Sequence, residues 1–225
     1  MAENKIGYTG MLYAPSGGGK TWNSLTLPGN LTMLSSDCSY NLAQKVVNPK
    51  ARILDIQRWA GEDGFLKIFE REVDKKPTTI IVDNISDTLD MAVLELIDSG
   101  AYGDPRQAYN QVYMAVRRFC RQANYVGCNV LLLAWQDVNI VPLPNGKKVE
   151  KLDPKLPAKL IDSVTGLCNI VGRISSGDIN GQQAWWVELQ GSETIRAKDQ
   201  VWGRQRCLVK DLFTPPQQPA AKGGK

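Results

Sequence analysis

Ala14-Pro15-Ser16-Gly17-Gly18-Gly19-Lys20-Thr21 lies between an apolar run, Ile6 to Tyr13, and the segment Trp22 to Leu27, which can begin a helix. A strand, a glycine-rich turn and a helix start, in that order, make a phosphate-binding loop. Glycines let successive backbone N–H groups curl around a β-phosphate, and a helix N-terminus favours the negative charge. Lys20 would reach the β- and γ-phosphates, and the Thr21 hydroxyl would ligate Mg²⁺. The strict pattern asks for Gly where Ala14 stands, a mild change because that position only has to turn tightly. A flexible turn would explain the glycines, but not the strand and helix that flank them. The motif implies ATP and Mg²⁺ as cofactors.

Outward from the loop, strand and helix signals alternate, the mark of an α/β domain with a mainly parallel sheet. Leu31–Ser35 reads as a second strand, Ala51–Ile56 as a short third, and Thr78–Asp83 as a β-branched strand ending in a carboxylate. Gly61–Val73 has helical spacing in Phe65, Ile68 and Phe69. Ser86 is placed to cap a helix from Asp87 to Ile97, and a longer helix is expected over Gln107–Tyr125. Val130–Trp135 is a buried strand. Residues 137–158, with four prolines and Asn145-Gly146, read as a long polar connection. Lys159–Leu167 reads as a short helix, and Asn169–Ser175 with Gln183–Leu189 as an antiparallel hairpin. The domain is expected over residues 1–213, and the Pro/Gln/Gly-rich residues 214–225 as a disordered tail.

Composition removes several chemistries. The 225 residues, 43% of them apolar, suffice for one large core. There is no histidine, so His acid/base catalysis and His metal sites are excluded. The five cysteines (Cys38, Cys120, Cys128, Cys168, Cys207) form no C-x-x-C pair and read as reduced thiols. No run approaches the ~18 apolar residues of a membrane span, and MAENK lacks a signal-peptide pattern, so no membrane partner and a cytoplasmic location are expected. The net charge of +4 is modest, but lysines and arginines gather in residues 144–160 and 196–211, as a polyanion partner would require.

Three further residues complete the expected site. Asp83, at the end of its strand, is expected to hold the metal from a strand neighbouring the phosphate loop. Asp37, after the second strand, either orients the attacking water or serves as a turn residue; Glu62 and Asp63 stand in reserve. Gln136, at the exit of the buried strand, either senses the γ-phosphate or is an ordinary polar residue.

Ala14–Thr21, Leu31–Asp37, Thr79–Asp83 and Leu131–Gln136 together resemble a RecA-type ATPase, and more closely the phage-encoded RecA-like proteins of single-strand annealing and recombination. The resemblance covers about residues 5–205. Leu156–Leu160, Cys168–Gly172 and Ala197-Lys198-Asp199 extend it. It implies a RecA-like P-loop NTPase core, a mainly parallel sheet flanked by helices, with a C-terminal antiparallel hairpin. It further implies that Asp37 is the catalytic carboxylate, shorter than the family's glutamate and therefore slow. Gln136 is then the γ-phosphate sensor, and Lys198 reaches the ATP of a neighbouring subunit. Ser99–Gln107 and Asp137–Ala158 correspond to the two DNA-lining loops. Lys147, Lys148, Lys151 and Lys155 are expected on DNA phosphates, and Tyr102 or Tyr109 on a base. The phage pattern has a basic residue where this chain has Gln200, and often a His near Trp135.

These readings converge on a Mg²⁺-dependent, DNA-dependent ATPase that binds single-stranded DNA and assembles head to tail as a ring or filament. A phage or host single-strand-binding protein would be a further partner, and a phage-encoded chain would work in the host cytoplasm. A nucleotide kinase on the same core and a helicase-loader or packaging accessory ATPase are the alternatives.

Overall fold

The computed structural model describes residues 7–179 and 181–216. Ile6 and MAENK therefore lie outside the described residues, as does the expected tail from residue 217. The chain builds a mixed sheet of ten strands with helices on both faces. In chain order these are β1 (Thr9–Ala14), α1 (Lys20–Ser24), β2 (Leu31–Ser35), α2 (Asn41–Val47), β3 (Arg52–Asp55) and α3 (Phe65–Asp74). Then follow β4 (Thr79–Asp83), α4 (Ile85–Asp98), α5 (Pro105–Ala123), β5 (Asn129–Pro142), β6 (Lys148–Pro154) and α6 (Ala158–Leu167). The chain closes with β7 (Ile170–Ile179), β8 (Gln182–Glu188), β9 (Lys198–Asp199) and β10 (Arg206–Cys207).

Strand order is β10-β8-β7-β1-β5-β4-β2-β3, and β7, β1, β5, β4, β2 and β3 all run parallel. The class read from the sequence, a mainly parallel sheet with an antiparallel β7–β8 hairpin at the C-terminal side, is the one observed. The central strands β1 and β4 are buried along their whole length, which is why they read as unbroken apolar runs rather than alternating ones. One apolar layer gathers Phe65, Phe69 and Phe119 of α3 and α5 against Tyr13, Ile80 and Val82. The other seats Leu25, Leu27 and Leu212 against Leu12, Met33 and Leu133.

Three sequence expectations change. Residues 137–154 are no irregular connection: β5 continues past the sheet and pairs with β6 in a two-stranded ribbon from Gln136↔Pro154 to Pro142↔Lys148. Its prolines sit at the ribbon ends, where a missing N–H breaks no ladder. Ser86 does not cap α4; the Asn84 side chain does, accepting from the Asp87 N–H at 2.8 Å. Helix α1 has only five residues, so its dipole is small and the loop's own N–H groups and Lys20 must carry phosphate binding.

Candidate nucleotide-binding site

Ligands of open parallel sheets gather at the C-terminal ends of the strands, where β1 delivers the glycine loop. Gly17 and Gly19 have φ of 72° and 78°, the left-handed region that glycine adopts freely. At Gly18 a Cβ would come within 2.8 Å of Ala14 Cβ and 2.9 Å of the Pro15 oxygen, so the loop closes this tightly only with glycine there. Lys20 folds back into the loop, its ammonium donating to the Ala14 and Pro15 carbonyls at 3.1 Å each. Burial pulls the Lys20 pKa down, with Asp83 and Asp37 pulling the other way.

Contrary to expectation, Asp83 is not on a strand adjacent to β1, because β5 is inserted between β1 and β4; β2, which leads to Asp37, lies one strand further out. The side chains meet nonetheless. Thr21 Oγ1 donates to Asp83 Oδ2 at 2.6 Å, and the Ser39 hydroxyl lies 3.2 Å from Thr21 Oγ1. Asp83 is 1% exposed. Burial lifts its pKa from 3.8 to about 6, the Thr21 hydrogen bond opposes, and the Asp37 charge adds to the rise. The Asp83–Asn84 peptide is cis. Lys20, Thr21, Asp37, Asp83, Trp22 and Trp135 border one open cleft of about 300 Å³.

The cleft fits a magnesium nucleotide. Its donors beside Thr21 are hard oxygens, and among the described residues no group of three or more His, Cys, Asp or Glu forms a self-sufficient metal cage. One hydroxyl and one carboxylate match a Mg²⁺ that takes its remaining ligands from phosphate and water.

Other expected residues stand apart. Gln136 falls one residue beyond Trp135 and therefore on the opposite face of β5. Its Oε1 accepts from Arg173 Nε at 2.9 Å, and Arg173 also pairs with Glu188 at 3.3 Å. Lys198 lies on β9 opposite Val171, level with Met11 rather than with the loop. Its ammonium donates to the Gly166 carbonyl at 3.2 Å and Gln200 Oε1 at 3.0 Å. The four lysines do not form one patch. Lys147 is at the ribbon tip, Lys148 and Lys151 project from opposite faces of β6, and Lys155 lies at the base with its ammonium 5.1 Å from the Trp135 ring centre. Glu62 and Asp63 are exposed outside the cleft, Asp63 pairing with Arg71.

Sequence reading missed Arg173, Trp135 as a cleft wall, and Asn84. Only Asn84 carried a signal, as a strand-end Asn three residues before an acidic residue of the next helix.

Residues 6–201 match AAA_24, described as an AAA domain. The chain belongs to that family. With its glycine loop, this AAA_24 domain is a P-loop ATPase, and the family implies use of a nucleotide, usually with Mg²⁺. Two of the solved structures to which the chain is similar illustrate the likeness. One is the KaiC-like protein PH0186 from the hyperthermophilic archaeon Pyrococcus horikoshii OT3, 14% identical over 81% of this chain and 77% of that one, with a TM-score of 0.47. The other is the flagellar accessory protein FlaH from Methanocaldococcus jannaschii, 11% identical over 90% and 84%, with a TM-score of 0.45. No curated protein matches the chain. Among the described residues, no helix is long and apolar enough to cross a membrane.

Proposed function

We propose that this AAA_24 domain is an ATP-hydrolysing, single-stranded-DNA-binding protein that assembles head to tail and acts in phage DNA recombination, by annealing or strand exchange. The observation that carries the reading is the continuity of β5. One strand runs from the sheet centre, past Trp135 in the cleft wall, and out into the lysine-bearing ribbon. The ribbon base is pinned to the nucleotide side at three points. The Tyr13 hydroxyl lies 2.9 Å from the Leu152 carbonyl. The Lys155 N–H donates to the Trp135 carbonyl at 2.7 Å. Ser86 Oγ accepts from the Trp135 N–H at 3.1 Å and donates to the Lys155 carbonyl at 2.8 Å.

Within the cleft, the Gly17 and Gly19 N–H groups and Lys20 would grip phosphate oxygens, Lys20 exchanging its two carbonyl partners for them, while the Gly18 N–H closes the loop on the Pro15 carbonyl at 3.0 Å. Thr21 and Asp83 would hold the cation of a bound magnesium nucleotide. When bound, the magnesium nucleotide supplies the transferable phosphoryl group and a charge that stabilises its departure. Asp37 orients the attacking water, and Gln136 reports the γ-phosphate to the ribbon on leaving Arg173. Lys198, level with Met11 and remote from the loop of its own chain, acts instead on the next subunit's nucleotide.

A nucleotide kinase would need a mobile, arginine-rich lid, but Arg117 is tied down between α5 and α6, donating to Ser163 Oγ and the Lys159 carbonyl. ATPase activity with and without single-stranded DNA, at two salt concentrations, tests the reading. DNA stimulation supports it, phosphorylation of a nucleoside monophosphate replaces it with the kinase, and nucleotide binding felt only by a protein partner replaces it with the accessory role.

Replacing Lys147, Lys148 and Lys151 with Ala should weaken single-strand binding and reduce the salt slope by about 2, since each phosphate contact contributes about 0.7. Unchanged affinity and slope in a salt titration would exclude the ribbon as the DNA site. Lys198→Ala should lower kcat about 10²-fold with nucleotide affinity nearly unchanged, as loss of a charge used only in the transition state does. Equal turnover of the two proteins would remove the trans role.

A further inference from the structure

Asp37 is held at both carboxylate oxygens. The Ser39 N–H donates to Oδ1 at 3.1 Å, and Asn84 Nδ2 donates to Oδ2 at 2.9 Å. Asn84 is itself wholly buried. Its Oδ1 accepts the Asp87 N–H at 2.8 Å, which caps α4. An N–H can be met only by an acceptor, so the helix cap fixes which way the amide is turned and directs its NH₂ at Asp37. The Asn84 carbonyl is fixed too, accepting from the Thr88 N–H at 3.0 Å and the Thr88 hydroxyl at 2.9 Å.

Capping alone does not require this residue. Ser, Thr or Asp would accept the Asp87 N–H about as well. Among the good capping residues, only Asn accepts from the helix while offering an amide NH₂ to a carboxylate. It also follows Asp83 directly in the chain, so one two-residue segment carries the cation-holding carboxylate and the group that aims the other acid.

We infer that Asn84 is a positioning residue for ATP hydrolysis: its amide, oriented by the α4 cap, sets the direction in which Asp37 presents its free lone pairs to the attacking water. The inference rests on the proposed water-orienting role of Asp37. An Asp37 released from this bond turns about its side-chain torsions. Misplacement of a catalytic group by about 1 Å can cost 10²-fold in rate.

The test uses Asn84→Ser and Asn84→Asp, which keep a capping acceptor and lose the amide donor, with Asp37→Asn as reference. Thermal melting, affinity for a fluorescent ATP analogue with Mg²⁺, and steady-state ATPase kinetics are measured for each. Both Asn84 variants should lose about 10- to 100-fold in kcat, with analogue affinity and KM within about threefold of wild type. The Asp variant should fall further, because it sets a second carboxylate against Asp37. If the Ser variant melts early, the Asp variant, a full-strength cap, carries the kinetic comparison. Wild-type kcat in the Asn84 variants beside an inactive Asp37→Asn would overturn the inference and leave the Asp37 role standing. A loss confined to nucleotide affinity would also overturn it, assigning Asn84 to nucleotide binding. An active Asp37→Asn protein would remove the role of Asp37 and the inference with it.

Discussion

Lys20→Ala is expected to lose about 10²–10³-fold in ATP turnover, and to bind nucleotide weakly, while melting no lower than the wild type. The two halves of this result share one cause. The Lys20 side chain is buried beneath the loop, and burial already depresses its pKa, so the protein carries a desolvated ammonium whose partners are two backbone carbonyls. Removing it relieves that desolvation and gives up two hydrogen bonds, changes that oppose one another in stability. For phosphate binding there is no such offset, because the short α1 supplies little dipole to take over. ATPase rates and a melting curve on the same sample decide the matter. Wild-type turnover would mean that the triphosphate binds elsewhere.

Asp83→Asn should make the nucleotide-free protein more stable at neutral pH while abolishing its Mg²⁺-dependent grip on ATP. Burial raises the Asp83 carboxyl to about 6 in the folded chain, against the ordinary 3.8 of an unfolded aspartate, so the folded state holds this proton more tightly. Its contribution to stability is intact below pH 4 and is lost as pH rises toward 6 and beyond. A shift of about two units corresponds to a loss on the order of 3 kcal/mol at pH 7. In a domain of this size that is roughly 6–12 °C in Tm. The Asn variant has no such proton to lose, still accepts from Thr21, and should melt higher at pH 7 with a flatter profile between pH 4 and 7. A neutral-pH Tm equal to or below wild type would refute the burial cost assigned to this carboxylate. The added stability without cation binding is the usual trade at a functional site.

The parallel core was legible because its strands are buried on both faces: Leu31–Ser35 matches its observed bounds, and Thr79–Asp83 differs from the expectation by one residue. The ribbon was not, although Asn145-Gly146 between alternating residues is a hairpin signal. Four prolines outweighed it, two of them at the ribbon's ends. Helix α2 went unread because Leu42 and Val46, on its outer side, are exposed and blur any apolar stripe. The glycine loop and Asp83 were legible as a pair, since each ends a strand that declares itself. Their separation by β5 was not, because strand order depends on how crossovers stack and leaves no local mark. Nor could spacing tell that Gln136 turns away from Trp135; that depended on the side-chain parity of a strand whose length had been underestimated.

The ribbon leaves the sheet as a stiff arm anchored at Gln136↔Pro154 and free at Pro142↔Lys148. Six residues of strand beyond that anchor span about 20 Å. A tilt of some 10° at the pivot would sweep the far end by about 3–4 Å, roughly one strand-residue repeat. On the proposed reading, chemistry confined to ångström displacements in the cleft would gain mechanical amplification at its periphery, without any hinge between domains.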